Sequence, residues 1–528
     1  MDSLRSRLNY EPQELGFGTS GRRGKVVDLT QLEVYLNALA ELEYLQSLPV
    51  TEGGIERGDP FYFAYDLRPS SDALAQAIVA AIVDSGMKAV NLGAIPTPAL
   101  AAFALSRKQG SMMVTGSHIP FDRNGYKTYS SRGELLKEQE APINEQVRQV
   151  RTRLYQQPFD ESLFDENGML KRGHQDLPPQ RDDARAAYID RFTSFFAGST
   201  LNGKRLLVYQ HSAVGRDLLA EILEQLGAQV IKAGRSDTFV PIDTENIDAA
   251  QLAVIQALAD EGKPLHAVVS IDGDSDRPLV LGVDPATGRV QFFGGDLVGM
   301  VVAEYLQADA VVVPISCNDA IDRGPLSAVL EPKTRIGSPY VISGMEAALG
   351  KGKQRVCGWE PNGGFLTGSP IVRNGAVLPP LLTRDAGLPI LGVLFAAEQA
   401  GLSLIDLFAR LPKRFSRAAL LKQFPRATAL KIVARFSPPA DARAIHKELA
   451  LFFTPALGFD SISNVDYTDG VRVRFANGQV AHVRPSGNAD ELRIYAVADT
   501  QERADEITAL GVAEPAGILR SMEKAVNG

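Results

Sequence analysis

The chain has 528 residues, 45% hydrophobic and 22% charged, with 55 Lys and Arg against 63 Asp and Glu. That length exceeds one ordinary core and sets an expectation of about three to four domains. The mild acidity argues against a general nucleic-acid or membrane-surface binder, so any bound anion must find local cations.

Two cysteines, Cys317 and Cys357, are too few for a disulfide framework or a Cys-based metal site. Both lie in apolar surroundings and read as buried thiols of a cytoplasmic protein. The opening MDSLRSRLNYEPQEL has no apolar segment of signal-peptide type. No apolar run reaches the roughly 18 residues of a membrane span.

In chain order, GFGTSGRRG (16–24) comes first and contains G-x-G-x-x-G at Gly16, Gly18 and Gly21. A dinucleotide fingerprint follows a strand, whereas YEPQEL precedes this one. It is not a P-loop either, since Thr19 stands where the first Gly should be. A loop of backbone N–H groups with Arg22 and Arg23 can still hold an anion. FYFAYD (61–66) then reads as a strand, and 71–85 as a helix with Leu74, Ala77, Ile78, Ala81 and Ile82 on one face. KAVNLG (88–93), a helix from Pro98 to Lys108 and the strand Met112–Val114 complete a first α/β round.

VTGSHIPFDRNGYK (114–127) leaves that strand carrying Ser117, His118 and Lys127. No acid lies near the Ser–His pair, so a hydrolase triad is unsupported. Neighbours on a strand point to opposite sides, which makes His118 a poor base for direct contact with Ser117. A serine that carries phosphate beside a metal suits the remaining motifs better.

After a polar stretch at 165–183 the alternation repeats. It comprises helix 186–197, strand RLLVYQ (205–210), helix 216–226, strand AQVIKAG, helix 248–261 and strand HAVVSID. Helices closing at Gly86 and Gly227 fit helix C-capping. IDGDSDRP (271–278) ends this strand, and Asp272, Asp274 and Asp276 can converge hard oxygens on one divalent cation. An EF-hand is excluded by Arg277 at its sixth position and Val283 at its twelfth. A solvated acidic turn is the alternative.

A third round starts at AVVVPIS (310–316) and includes QRVCGWE and an apolar helix over 383–400. GWEPNGG (358–364) offers a carboxylate, an amide and glycines, which suits sugar hydroxyls, although a plain turn needs no ligand. From about Ser416 two alternating strands joined at Asn477-Gly478 form a hairpin, followed by ELRIYAVA and a helix from 501. RPSGNADELR (484–493) sets Arg484, Ser486, Gly487 and Asn488 at a strand end, a chemistry fitted to phosphate. Domain bounds are expected at 1–165, 184–299, 300–412 and 417–528, with a hinge near Leu411–Ser416.

Taken together, FGTSGRRG, TGSHIPFDRNGYK, DGDSDR, GWEPNGG and RPSGNADELR resemble, in order, the five motifs of the α-D-phosphohexomutase superfamily. The resemblance implies three similar mixed-sheet α/β domains and a smaller C-terminal α+β domain, heart-shaped around a central cleft. It implies that Ser117 carries a phosphoryl group and that Asp272, Asp274 and Asp276 bind Mg²⁺ with an oxygen of that phosphate. Lys127 matches the general acid/base, and Arg23 and Arg277 the cations at the reacting phosphate. His118 is a neighbour in the phosphoserine motif. Arg484, Ser486, Gly487, Asn488 and Arg493 would hold the non-reacting phosphate. Glu360 and Asn362 would meet the sugar, with Gly337 and Ser338 of TRIGSPYVISGM facing the cleft.

The implied reaction moves phosphate between O1 and O6 of a hexose through a hexose 1,6-bisphosphate. The expected partners are hexose phosphates, with neither nucleic acid nor membrane, in a monomer or homodimer. Departures stand at Ile119 (usually Asn), at Asn362 and Gly364 (usually Ser and His), and at Asn488 (usually Thr). The expected sugar is mannose and/or glucose, with the sugar-loop changes leaving the choice between them open, and glucosamine or N-acetylglucosamine phosphates are the alternative that the E-x-N-G form suggests. A catalytically silent sugar-phosphate binder is the rival of another class, and retention of Ser117, Lys127, the three Asp and Arg277 argues against it.

Overall fold

The computed structural model describes residues 2–18, 20–245, 247–438, 441–486 and 490–527. The first sheet contains β1 (Arg22–Lys25), β2 (Pro60–Tyr65), β3 (Lys88–Asn91), β4 (Ser111–Val114) and β5 (Arg123–Tyr129), in the order β1-β5-β4-β2-β3. β2 runs parallel to β3 and β4, while β5 is antiparallel to β4 and β1. The second contains β6 (Arg205–His211), β7 (Gln229–Arg235), β8 (Ala267–Ile271), β9 (Pro278–Val283) and β10 (Val290–Phe293), in the order β10-β9-β8-β6-β7. Its β6 is likewise parallel to both neighbours, and β9 is antiparallel to β8 and β10. The edge strand comes from before the unit in one case and after it in the other.

The third sheet is shorter: β11 (Ala310–Val312), β12 (Val356–Trp359), β13 (Phe365–Thr367) and β16 (Leu381–Asp385), with a hairpin of β14 (Ile371–Arg373) and β15 (Ala376–Leu378) outside it. The C-terminal sheet is wholly antiparallel: β17 (Phe415–Lys422), β18 (Ile462–Asp466), β19 (Val471–Phe475), β20 (Val480–Pro485) and β21 (Glu491–Ala498), in the order β17-β21-β20-β19-β18.

Local signals placed most of these elements. Gly86 (φ 81°) and Gly227 (φ 97°) take the left-handed conformation expected past a helix end, and Gly478 (φ 81°) turns the β19–β20 hairpin. The expected helix over 383–400 starts at Gly387 instead, because Leu381–Asp385 pairs with β13 as β16. Sheet pairing overrides the local helix preference there, and Asp385 Oδ1 accepts the Gly387 N–H at 2.8 Å where the helix begins. β1 and β5 lie inside segments that the motif reading treated as loops.

One apolar core passes through the first three units. Leu100 and Phe103 of helix Thr97–Leu105, Phe192 of helix Asp183–Phe195, and Trp359, Leu391 and Phe395 belong to it. Phe196 stacks on Phe395 at 4.5 Å between centroids. The C-terminal unit has its own core around Phe424, Ile432, Phe475 and Ile494. The connection between the two bodies carries buried Arg414. It donates to Asp319 at 2.6 and 3.0 Å on one side, and to Asp499 (2.5 Å) and the Gly478 carbonyl (2.6 Å) on the other. No helix among the described residues is long and apolar enough to cross a membrane.

Candidate active site

β4 delivers Ser117 to the end of the first sheet, and the chain leaves strand geometry at once. Ser117 has φ 54° and is fully buried. Its amide donates to Thr115 Oγ1 at 2.7 Å. Arg68 holds the turn from beneath, donating to the carbonyls of Ser117 (2.9 Å), Ile119 (2.6 Å), Pro120 (2.8 Å) and Arg123 (2.9 Å). Asp66 fixes Arg68 and accepts from Thr115 Oγ1 at 2.8 Å. This left-handed turn corrects the expectation that Ser117 and His118 point apart: Oγ and His118 Nδ1 are 3.3 Å apart, because strand alternation has already ended.

Ser117 Oγ donates to Asp272 Oδ2 at 2.7 Å. The acidic loop between β8 and β9 thus meets the serine of the first unit. Asp272 Oδ1 accepts the amides of Asp276 and Arg277, both at 3.1 Å, which folds the loop back on itself. Asp274 Oδ2 accepts from Thr97 Oγ1 and Lys127 Nζ, each at 2.7 Å. Lys127 also reaches Asp276 Oδ2 at 2.6 Å. Carboxylate oxygens of Asp272, Asp274 and Asp276 lie within 4.8 Å of one another, all buried. Asp274 Oδ1 and Asp276 Oδ1 have no hydrogen-bond partner among the described residues. Buried hard oxygens without donors fit a divalent cation.

Strand alternation selects which cations face this place. On β1, Arg22 turns inward to Glu41 (2.6 Å) and the Leu15 carbonyl (2.5 Å), whereas Arg23 lines the cleft. On β5, Tyr126 and Thr128 also point to Glu41, at 3.2 and 2.5 Å, and Lys127 between them points to the acidic loop. Arg277 lies 3.9 Å from Asp272 and 3.7 Å from Asp276 through Nε.

The electrostatics follow from this crowding. Burial, then the neighbouring Asp274 and Asp276, pushes Asp272 well above the usual carboxylate range. Burial also opposes the charge of Asp276, but Arg384, Lys127 and Arg277 prevail and hold it low. Asp274 is likewise held low against burial and Asp276 by Lys127 and Thr97. Burial and then Arg277 bring Arg23 down to about 10. His118 is held neutral by burial, Arg277 and Arg23. Like charges converging beside Ser117 make an anion site.

The cleft is about 1410 Å³ and is lined from all four sheets' units, by Arg23, His118, Arg277, Glu360, Asn362, Arg484, Ser486 and Arg493 among others. Asn362 caps its own turn, Oδ1 accepting the Gly364 amide at 3.0 Å, and its carbonyl accepts from Thr244 at 2.8 Å. Gly337 and Ser338 do not line the cleft; Ile336 does. Ser338 Oγ is fully buried, donating to Glu134 at 2.7 Å and accepting from Arg384 at 3.0 Å, because it opens the helix Ser338–Gly350 packed under the wall. Arg484 Nε is 2.9 Å from Asp469, and Arg493 donates to Glu491 at 2.9 Å. Gly487 and Asn488 lie outside the described residues.

Asp66, Arg68, Glu134 and Arg384 escaped the motif reading. The D-x-R directly after a buried strand was a usable signal for the first two, since charges at that place require partners. Glu245 is another such residue: it lines the cleft, and burial and Asp243 raise it to about 7.

A buried serine hydrogen-bonded to one of three clustered aspartates, close to the arginines of a cleft lined from four units, has the donors and charges that phosphoryl transfer requires. Residues 14–153 match the model of phosphoglucomutase/phosphomannomutase, alpha/beta/alpha domain I, and residues 421–510 match that of the C-terminal domain. The chain is 38% identical to a phosphomannomutase of Sinorhizobium fredii, over 94% of this chain and 98% of that one. It is 37% identical to a phosphomannomutase of Salmonella muenchen, over 93% and 94%. Among solved structures, an N-acetylphosphoglucosamine mutase of Aspergillus fumigatus in complex with GlcNAc-6P and magnesium shares the fold at TM-score 0.60 and 14% identity, over 98% of both chains. The chain belongs to the α-D-phosphohexomutase superfamily. Its activity is that of a hexose phosphate mutase, an isomerase.

Proposed function

We propose that the hexose is mannose, converted between its 6- and 1-phosphates, with Ser117 as the phosphoryl carrier. The contact of Ser117 Oγ with Asp272 at 2.7 Å, beside the two donor-free oxygens of Asp274 and Asp276, carries this reading. The mannose assignment rests on the two phosphomannomutases that match nearly end to end. A mutase acting on amino or N-acetylated hexose phosphates is the weaker alternative, favoured by the E-x-N-G sugar loop.

The Ser117 O–P bond breaks as a sugar hydroxyl bonds to phosphorus, giving the 1,6-bisphosphate. The bisphosphate then turns over, and its other phosphate returns to Ser117. Lys127 exchanges the hydroxyl proton with the serine oxygen, while Arg23 and Arg277 balance charge on the moving group. Asp272, Asp274 and Asp276 would hold Mg²⁺, which supplies further charge neutralisation at the transferred phosphate. Neutral His118 packs against Ser117 without adding charge. Arg484, Ser486, Gly487, Asn488 and Arg493 hold the distal phosphate, and Glu360 and Asn362 take sugar hydroxyls common to both orientations.

Four units, 1–165, 184–299, 300–412 and 417–528, with bending near Leu411–Ser416, serve that reorientation. We assign the enzyme to the cytoplasm as a monomer or homodimer, with Cys317 and Cys357 as free buried thiols. A coupled assay with mannose, glucose and glucosamine 1-phosphates, Mg²⁺ and catalytic bisphosphate tests the reading. Turnover led by mannose 1-phosphate is expected, and preference for the glucosamine compound would overturn the sugar assignment. Intact-mass analysis should show one phosphate adduct that is lost in Ser117→Ala; an adduct that persists there refutes the carrier.

A further inference from the structure

We infer that Arg384 is the positioning residue that aims Glu360 into the cleft, and that Gly364 is the space its side chain requires. The inference rests on the reading of Glu360 as a sugar ligand. Arg384, on β16, is 3% exposed and touches three segments at once. Nε and Nη2 converge on a single oxygen, Asp276 Oδ2, at 3.1 and 2.8 Å. Nη1 donates to Glu360 Oε2 at 3.2 Å and to Ser338 Oγ at 3.0 Å.

Two consequences follow from that geometry. Asp276 anchors the guanidinium plane, so the planar fork has little freedom in where it presents Nη1. Arg384 and Glu360 both line the cleft, and because Arg384 occupies Oε2 of Glu360, the other carboxylate oxygen is left for a ligand there. A carboxylate held through one oxygen has a defined direction for the other.

Gly364 is the second observation. Its φ is not positive, so backbone strain does not call for glycine. A Cβ there would lie 2.4 Å from Arg384 Cδ, 2.7 Å from Cγ and 2.8 Å from Cβ. These are stem atoms of a side chain pinned at its far end, so it cannot swing away without losing a hydrogen bond. Gly364 is also where the sugar loop departs from the family pattern, which puts a larger residue at this position. Gly364 and Arg384 therefore act as one pair.

The test is steady-state kinetics with mannose 1-phosphate, together with calorimetric binding of the same compound to Ser117→Ala enzyme carrying each change. For Arg384→Met, KM and Kd should rise about ten- to hundredfold, the worth of a charge-assisted contact, with kcat changed less. Arg384→Lys should recover part of that loss, since one donor can still reach Glu360. Gly364→Ala should reproduce the KM increase and, because the new methyl overpacks a buried site, lower the thermal midpoint by a few degrees while the enzyme stays folded at assay temperature. Adding Gly364→Ala to Arg384→Met should do nothing more, because both act through one group. Unchanged KM and Kd in Arg384→Met and Gly364→Ala, or fully additive effects, would overturn the inference. If the wild type binds the sugar phosphate without turning it over, the mutase reading fails while the Kd ratios still decide on Arg384.

Discussion

Lys127→Met tests the electrostatic account of the acidic loop most directly. Lys127 Nζ sits 2.7 Å from Asp274 and 2.6 Å from Asp276, with all three groups buried. At an effective dielectric of about 20, each contact carries about 6 kcal/mol of Coulomb attraction before desolvation. Desolvation offsets much of that sum, and removing one partner of such a buried pair costs about 3–5 kcal/mol. The variant leaves Asp272, Asp274 and Asp276 facing one another with Arg384 and Arg277 as remaining counter-charges. In a chelator, thermal unfolding of Lys127→Met should therefore start well below that of the wild type. Magnesium then finds carboxylates that no ammonium already neutralises. The variant should therefore bind Mg²⁺ with the lower dissociation constant, and at a concentration a hundred times that constant it gains about 2.7 kcal/mol while the wild type gains less, so its midpoint should climb more steeply with Mg²⁺. Equal stability in chelator, or equal magnesium responses, would refute the reasoning.

Arg22→Met and Arg23→Met should separate along the alternation of β1. The first breaks the buried Arg22–Glu41 pair and should cost about 3–5 kcal/mol while the folded fraction keeps its kcat. The second should keep its melting midpoint and lose about a hundredfold or more in turnover, as expected for one stabilising cation at the transferred group. Acid should unfold the C-terminal unit through His482, which burial depresses from 6.5 to about 4. The unfolded chain takes up the proton first, so stability present above pH 6.5 is lost as pH falls towards 4, by about 3 kcal/mol. His482→Gln should flatten that stretch of the pH–stability curve in denaturant titrations, and an unaltered curve would count against the assignment.

Much of the site was legible in short stretches. TGSHIP, DGDSDRP and WEPNGG each follow a strand whose apolar run is readable. The residue types alone point to a carrier serine, a cation and a polar small molecule. Which face each cation takes came only with the strands themselves: pairing as β1 and β5 turns Arg22 and Tyr126 to Glu41, Arg23 to the cleft and Lys127 to the acidic loop. The D-x-R after β2 marked Arg68 as a charge in need of partners, but not which ones, and the role of Arg384 was not legible, because it lies in no motif and acts on segments far away in the chain. Arg384 and Asp276 are 108 residues apart, and Lys127 and Asp274 are 147 apart.

By itself, then, the sequence determined the alternating α/β rounds, the closing antiparallel unit and the chemical kind of each loop, because periodicity and turn residues act over a few neighbours. Only the tertiary structure decided which loops meet. The shared core of the first three units docks Thr97, Ser117 and Lys127 on the acidic loop. It also turns a would-be stretch of helix into β16, and so carries Arg384 to Asp276 and Glu360. Contacts of that range depend on how whole faces pack, and local pattern does not encode them.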